Sequence, residues 1–269
     1  MWVLSGLADE ISPDFDAQCR LLSKLGLRYL EFRSAWDVSA LDLGAEELCM
    51  VKTILASHGL GVSSIGSPIG RISIEEDFGP HLEQMRYAAD VARFFDASYI
   101  RISSFVIPEG ADADSYRDEV LRRMHDLTQV AAESRVILLH ENETDTYGDT
   151  PRRCLDLVES VGSPHLRLAW DAGDLAPVGV PPVTESPIAE TYAPLRPHLE
   201  YIKIKDPLLV AGQVETLRSL RRDGFDGVFS LEPRLDKTCV RDGANGTGQF
   251  TDAWRAFTDL LNTEDIPYV

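Results

Sequence analysis

Eight short apolar runs, each followed by a longer amphipathic stretch, most limit how this chain can fold. The runs are WVLSGLAD (2–9), LRYLEFR (27–33), GVSSIGS (61–67), SYIRISSF (98–105), RVILLHE (135–141), LRLAWD (166–171), YIKIKD (201–206) and GVFSLE (227–232). This alternation is the pattern of βα units around a parallel sheet. The stretches between carry helix signals. PDFDAQCRLLSKLG follows Ser12, a capping residue, and ends on Gly26; EELCMVKTILASHG closes on Gly59; PHLEQMRYAADVARFFD has Pro80 in its first turn. Eight strands close a barrel, and no GxGxxG follows the first run, so the expected fold is an α/β (β/α)8 TIM barrel in preference to an open doubly wound sheet. Such a barrel needs about 250 residues. The 269 residues here therefore read as one domain, 1–269, with no linker, low-complexity tract or fixed-period repeat.

Composition narrows the partners. The chain is 44% hydrophobic and 26% charged, with no apolar run long enough to cross a bilayer, and MWVLSGLADEIS lacks the basic start and long apolar core of a signal peptide. A cytoplasmic protein with no membrane partner is expected. A net charge of -18 repels nucleic-acid phosphates, and no basic patch offsets it. Cys19, Cys49, Cys154 and Cys239 lie far apart with no CxxC spacing, which suits reduced structural thiols.

Chemistry in such a barrel collects where the strands end. Those ends carry Asp9 and Glu10, Glu31 and Arg33, Ser67, Arg101 and Ser103, His140 and Glu141, Asp171 and Asp174, Lys203 with Lys205 and Asp206, then Glu232 and Arg234. Glu141, Asp171 and Glu232 each follow a strongly apolar run, so their charges need compensation, and a divalent cation would supply it. Oxygen ligands suit Mg, Mn and similar hard ions. His140 precedes Glu141 and should point the opposite way on an ideal strand. Glu31 and Arg33 share a face, in reach of substrate hydroxyls or of charges on neighbouring strands. Arg101 invites a phosphate. Trp170 suits the core, whereas Trp36 could border the pocket.

The segments HENETDTYGDTP (140–151), WDAGDL (170–175), YIKIKD (201–206) and LEP (231–233), with LADEIS, SPIGRI and YIRISSF before them, resemble the sugar phosphate isomerase/epimerase superfamily. This xylose isomerase-like TIM-barrel group also holds inosose dehydratases, ketose 3-epimerases and an AP-endonuclease branch. The resemblance implies a divalent metal (Mn, Mg or Co) held by Glu, Asp, His and Glu at the ends of strands five to eight, with the two glutamates as acid and base. Glu141, Asp171 and Glu232 match three of these positions. The fourth, the first residue of an HxKD motif, is Lys203 here, followed by the Lys205–Asp206 pair. Asp174 stands where many members have His or Asn, and Arg234 follows a Glu-Pro pair that often continues with His. The glycine-rich turn after strand seven is reduced to VAGQVETL. A charged lysine has donors and no lone pair. Either a metal binds through three carboxylates and water beside Lys203, or the ammonium itself neutralises them.

These residues suggest an isomerase or epimerase acting on a small carbohydrate or sugar phosphate through an enediol-type intermediate. Glu141 and Glu232 would move the proton, with Lys203 or a metal at the developing oxyanion. Glu31, Arg33, Arg101, His140, Asp174, Lys205 and Arg234 are the candidate substrate contacts. An inosose-type dehydratase would use the same parts. The rival reading is a non-catalytic or metal-independent carbohydrate-binding relative that has lost turnover along with the metal His. An AP endonuclease would need a basic groove and a His-rich multi-zinc site, and the six histidines are scattered along an acidic chain. The sequence leaves a homo-oligomer open.

Overall fold

The computed structural model describes residues 1–171, 193–205, 214–233 and 244–269. Each of the eight apolar runs coincides wholly or in part with a strand: β1 Val3–Gly6, β2 Tyr29–Phe32, β3 Gly61–Gly66, β4 Tyr99–Ile102, β5 Ile137–Glu141, β6 Leu166–Asp171, β7 Leu199–Ile204, which starts two residues before its run, and β8 Val228–Leu231. They close a barrel in the order β1-β8-β7-β6-β5-β4-β3-β2, the α/β TIM barrel that eight βα units predict. The short pair Ser34–Ala35 and Val38–Ser39 forms a separate antiparallel ribbon after β2. Among the described residues, no helix is long and apolar enough to cross a membrane.

The described residues divide into two compact units, Met1–Ser63 with Ile202–Val269, and Ser64–Tyr201. In the first, β1 pairs in parallel with β8, Val3 opposite Val228 and Gly6 opposite Leu231, and with β2, Ser5 opposite Tyr29. Its helices are α1 Phe15–Lys24, α2 Ala45–His58, and later α6 Val214–Arg222 and α7 Ala244–Thr263. In the second, β4 runs beside β3 and β5, with Ser64 opposite Tyr99 and Ile102 opposite His140, and β5 runs beside β6. Its helices are α3 Phe78–Phe94, α4 Arg117–Ser134 and α5 Pro151–Val161.

Local signals place most helix ends. Gly59 takes the left-handed conformation, φ 67°, just past α2, and Pro80 lies in the first turn of α3. The start of α1 differs from expectation. Asp14 caps it, accepting from the Asp16 N–H, while Ser12 Oγ accepts from the Asp14 N–H one step earlier. A carboxylate next to the first turn also meets the helix dipole better than a hydroxyl does.

Side-chain alternation sets which residues face the barrel interior in the first unit. The Phe32 ring lies 5.4 Å from Phe15 of α1, and the Phe229 ring lies 4.4 Å from Trp2 and 5.7 Å from Phe257 of α7. These aromatics pack outward against helices. Their neighbours Glu31 and Ser230 therefore turn inward, and both are buried. Ser5 and Ser63 share a 2.7 Å hydrogen bond on the same polar side.

Candidate active site

In the first unit a continuous line of charges runs along the strand ends. Lys203, set between Ile202 and Ile204 of β7, donates to Glu31 Oε2 at 2.6 Å and stands 3.0 Å from Glu232 Oε2. The Ser230 hydroxyl donates to the same Glu31 oxygen at 2.9 Å. Glu232, one residue past β8, is anchored by its N–H to the Ile204 carbonyl at 2.9 Å. Its other carboxylate oxygen, Oε1, accepts from Arg33 Nη1 at 3.2 Å.

Arg33 is clamped by Asp9, Nε and Nη2 each donating to a carboxylate oxygen at 2.7 Å. Glu10 and Ser34 complete that end, Ser34 Oγ donating to Asp9 Oδ2 at 2.8 Å. Burial works against the Arg33 charge, but the Asp9 fork, helped by Glu232 and Glu10, outweighs it and raises the guanidinium pKa further above its ordinary value. The lysine and Glu31 side chains are 1% exposed, Glu232 is 15% exposed and Arg33 32%. Glu232 thus reaches toward solvent from a fully buried pair.

The second unit presents another cluster. Glu141, the last residue of β5, is buried with Arg101 Nη1 3.4 Å from its Oε2. The same guanidinium nitrogen lies 3.5 Å from Glu143 Oε1. Glu143 also accepts from Ser103 Oγ at 2.6 Å and from Arg71 at 2.5 Å. Asn142 brackets the end of β6: its Oδ1 accepts from the Asp171 N–H at 3.0 Å and its Nδ2 donates to the Asp171 carbonyl at 3.3 Å. Asp171 itself is fully buried.

His140 goes elsewhere. Its ring lies against Gly148 and Ser104, where a Cβ added at Gly148 would come within 2.4 Å of His140 Cε1. Neither ring nitrogen has a hydrogen-bond partner among the described residues. Burial pushes its pKa down to about 4, against a weaker upward pull from Glu141.

Of the sequence candidates, Arg33, Glu232, Lys203 and Glu31 are joined in that order by ion pairs within the first unit, and Arg101 and Glu141 within the second. Lys205 is half-buried just past β7. Asp174, Asp206 and Arg234 lie outside the described residues. Trp170 is buried, while Trp36 is half-buried with its ring 6.2 Å from Phe15. Sequence reasoning missed Arg71, Asn142, Glu143 and Ser230. Glu143 had a signal, since it follows Glu141 at the next-but-one position of HENE. Ser230 had none beyond its alternation with Phe229 and Leu231.

The resemblance implies a divalent metal, and the side chains present do not fit one as that set requires. Lys203, at the expected His position, brings donors where a cation needs a lone pair. Among the described residues, no group of at least three His, Cys, Asp or Glu side chains is arranged to hold a metal.

Residues 19–257 match the family model of the xylose isomerase-like TIM barrel. No curated protein sequence matches the chain. Among solved structures, it is similar to a xylose isomerase-like TIM barrel protein from Mycobacterium smegmatis in complex with magnesium, at 21% identity and TM-score 0.68 over 94% of this chain and 97% of that one. It is similar to a probable 3-DHS dehydratase involved in petrobactin synthesis from Bacillus anthracis, at 18% identity and TM-score 0.70 over 96% and 99%. A third, a 3-keto-D-glucoside 4-epimerase from E. coli, has 14% identity and TM-score 0.71 over 97% and 100%. At these identities the likeness is one of fold, whereas the family match spans most of the sequence. The chain belongs to the xylose isomerase-like TIM barrel family.

Proposed function

We propose that this protein is a sugar or sugar phosphate isomerase/epimerase-type enzyme that moves a proton on a carbon beside a carbonyl. Glu232 and Glu141 are the candidate proton-transfer groups. A carboxylate takes the C–H proton and the electron pair passes to the carbonyl oxygen, giving an enediolate; a proton delivered to the opposite face of the same carbon completes epimerisation, and one delivered to the neighbouring carbon, with the hydroxyl proton moving from one enediol oxygen to the other, completes isomerisation. Arg33, Arg101 and Lys205, with Glu31, Asp174 and Arg234, are the candidates for binding and orienting the substrate; His140, fully buried with its ring against Gly148, is set aside.

The observation that carries this reading is Glu232: a partly exposed carboxylate at a strand end, held by one cation on each oxygen, in a barrel whose family and neighbours include sugar-processing enzymes. A base that must meet a substrate carbon needs both that access and that fixed orientation.

Incubation with a panel of ketoses and ketose phosphates in deuterium oxide tests it. Wild type is expected to wash deuterium into the carbon beside the carbonyl. Glu232→Gln and Glu141→Gln are each expected to reduce exchange by about a hundredfold or more while remaining folded. Full exchange by either variant would remove that residue from its role.

A second reading has its own support. Both oxygens of Glu232 already meet cations, which would also suit a carbohydrate-binding relative without turnover. Sugar binding by calorimetry with no exchange by wild type would favour it. Loss of water from the substrate would instead point to a dehydratase.

A further inference from the structure

Lys203, held between Glu31 and Glu232, puts a positive charge beside Glu232, one of the carboxylates that a divalent cation would otherwise compensate. Lys203 Nζ lies 2.6 Å from Glu31 Oε2 and 3.0 Å from Glu232 Oε2. Arg33 Nη1 takes the remaining oxygen of Glu232 at 3.2 Å. Each oxygen of Glu232 thus meets a cation, although Arg33 is shared with Asp9 and Glu10. A doubly charged ion brought to Glu232 would be repelled by the buried ammonium, which stands 3.0 Å from its Oε2.

Displacing the ammonium does not remove the difficulty. Glu31 is 1% exposed, and its contacts with Lys203 and Ser230 are made inside the barrel. Moving Lys203 aside to admit a metal at Glu232 would strand Glu31 without its cation, and a buried charge that loses its partner is among the costliest changes a core can suffer. The lysine is therefore held by two carboxylates of different exposure, and metal binding at one is opposed through the other. A neutral imidazole at position 203 would behave differently, because it offers a lone pair and adds no positive charge.

We propose that the Lys203 ammonium is the resident cation of this protein, carrying the charge that the family resemblance assigns to a divalent metal, so that the folded chain does not require a metal at this site. Glu31 is the residue that makes the replacement permanent: it anchors the ammonium from the buried side while Glu232 is held from the exposed side. The proposal concerns cation binding and does not depend on which sugar is used or on whether the protein turns over.

The test is calorimetric titration of Mn(II) into protein purified without a metal-affinity tag and dialysed against EDTA, with Mn(II) electron paramagnetic resonance as a second count of bound ion. Thermal melting with and without Mn(II) or EDTA accompanies both. Wild type is expected to bind no stoichiometric Mn(II) at micromolar concentrations and to melt at the same temperature in either additive. Lys203→His is expected to gain Mn(II) affinity by about tenfold or more and to be stabilised by the ion. One equivalent bound tightly by wild type would overturn the proposal without any variant. A folded Lys203→His that binds no better than wild type would overturn it as well. Because these measurements need no turnover, a failed exchange assay and a failed titration point to different errors.

Discussion

A neutral histidine sealed in a protein interior links folding to pH, and His140 is such a residue. It is fully buried at the end of β5, with Gly148 and Ser104 on one side and Glu141 next in the chain. The native imidazole takes its proton only near pH 4, whereas the unfolded chain takes it near 6.5. Its contribution to stability is therefore full above that upper value and is lost as the pH falls toward the lower one, about 3 kcal/mol across the window. Carboxylates titrate in the same range, so the useful quantity is a difference. Urea unfolding of wild type and His140→Leu between those two pH values is expected to show a steeper acid loss in wild type by about that amount; parallel curves would mean the ring is protonated in the native state. The sequence showed that His140 should oppose Glu141, because alternation along a strand is local. It did not show that Lys203 would meet Glu31, whose position is 172 residues away in the chain. Such a pair depends on which strands close against each other, and period-2 patterning carries no record of that.

At the scale of elements, the eight barrel strands were legible, whereas the ribbon of Ser34–Ala35 and Val38–Ser39 and the loops that support the strands were not. Each apolar run became a strand because burial demands it, but the runs overshot at their ends: residues 98–105 yield only Tyr99–Ile102 in β4. The lost residues pair with another loop. Ser103 donates its N–H to Ile69 at 2.8 Å, Phe105 to Gly70 at 2.7 Å and Val106 to Ile72 at 2.9 Å, zipping the segment after β4 to the one after β3. This zip carries Ser103 and Arg71 to Glu143, which in turn lies beside Arg101. Gly70 is its tightest point. With φ +80°, its N–H donates to His81 Nε2 at 2.7 Å, and an added Cβ would stand 2.0 Å from the Ser103 carbonyl oxygen. Backbone on both sides leaves little room to give, so Gly70→Ala is expected to cost at least about 2 kcal/mol through overpacking and a strained φ. Chemical denaturation measures it. A loss of only a few tenths would show that the two loops part easily and that Glu143 is not held by them.

For the molecule as a whole, the barrel closes only with all eight strands, and we propose that 1–269 unfolds as one domain; two separate calorimetric transitions would overturn that. Net charge makes a sharper demand. The chain has 44 acidic and 26 basic side chains, and the difference of 18 is negative charge that no internal partner can cancel. Many of the basic groups already sit in ion pairs, on helix faces such as Arg122 with Glu119 and Asp126, or buried as in Lys203 with Glu31. Salt acts on both populations. It weakens exposed pairs, each worth about 0–1 kcal/mol, and it weakens the repulsion among unpaired carboxylates, which acts over longer distances. Raising ionic strength from about 10 mM to about 150 mM shortens the screening length from about 30 Å to about 8 Å. Charges separated by tens of ångströms lose most of their interaction over that range, while contacts such as the 2.7 Å Arg122–Glu119 pair lose less and the buried lysine pair least. The longer-range repulsion is therefore the term that salt removes first. The melting temperature at neutral pH is expected to rise by a few degrees between those salt concentrations, equally in sodium and potassium chloride, since screening does not distinguish the two cations. A fall would mean that surface ion pairs outweigh net repulsion, and a rise confined to one cation would mean a specific ion site.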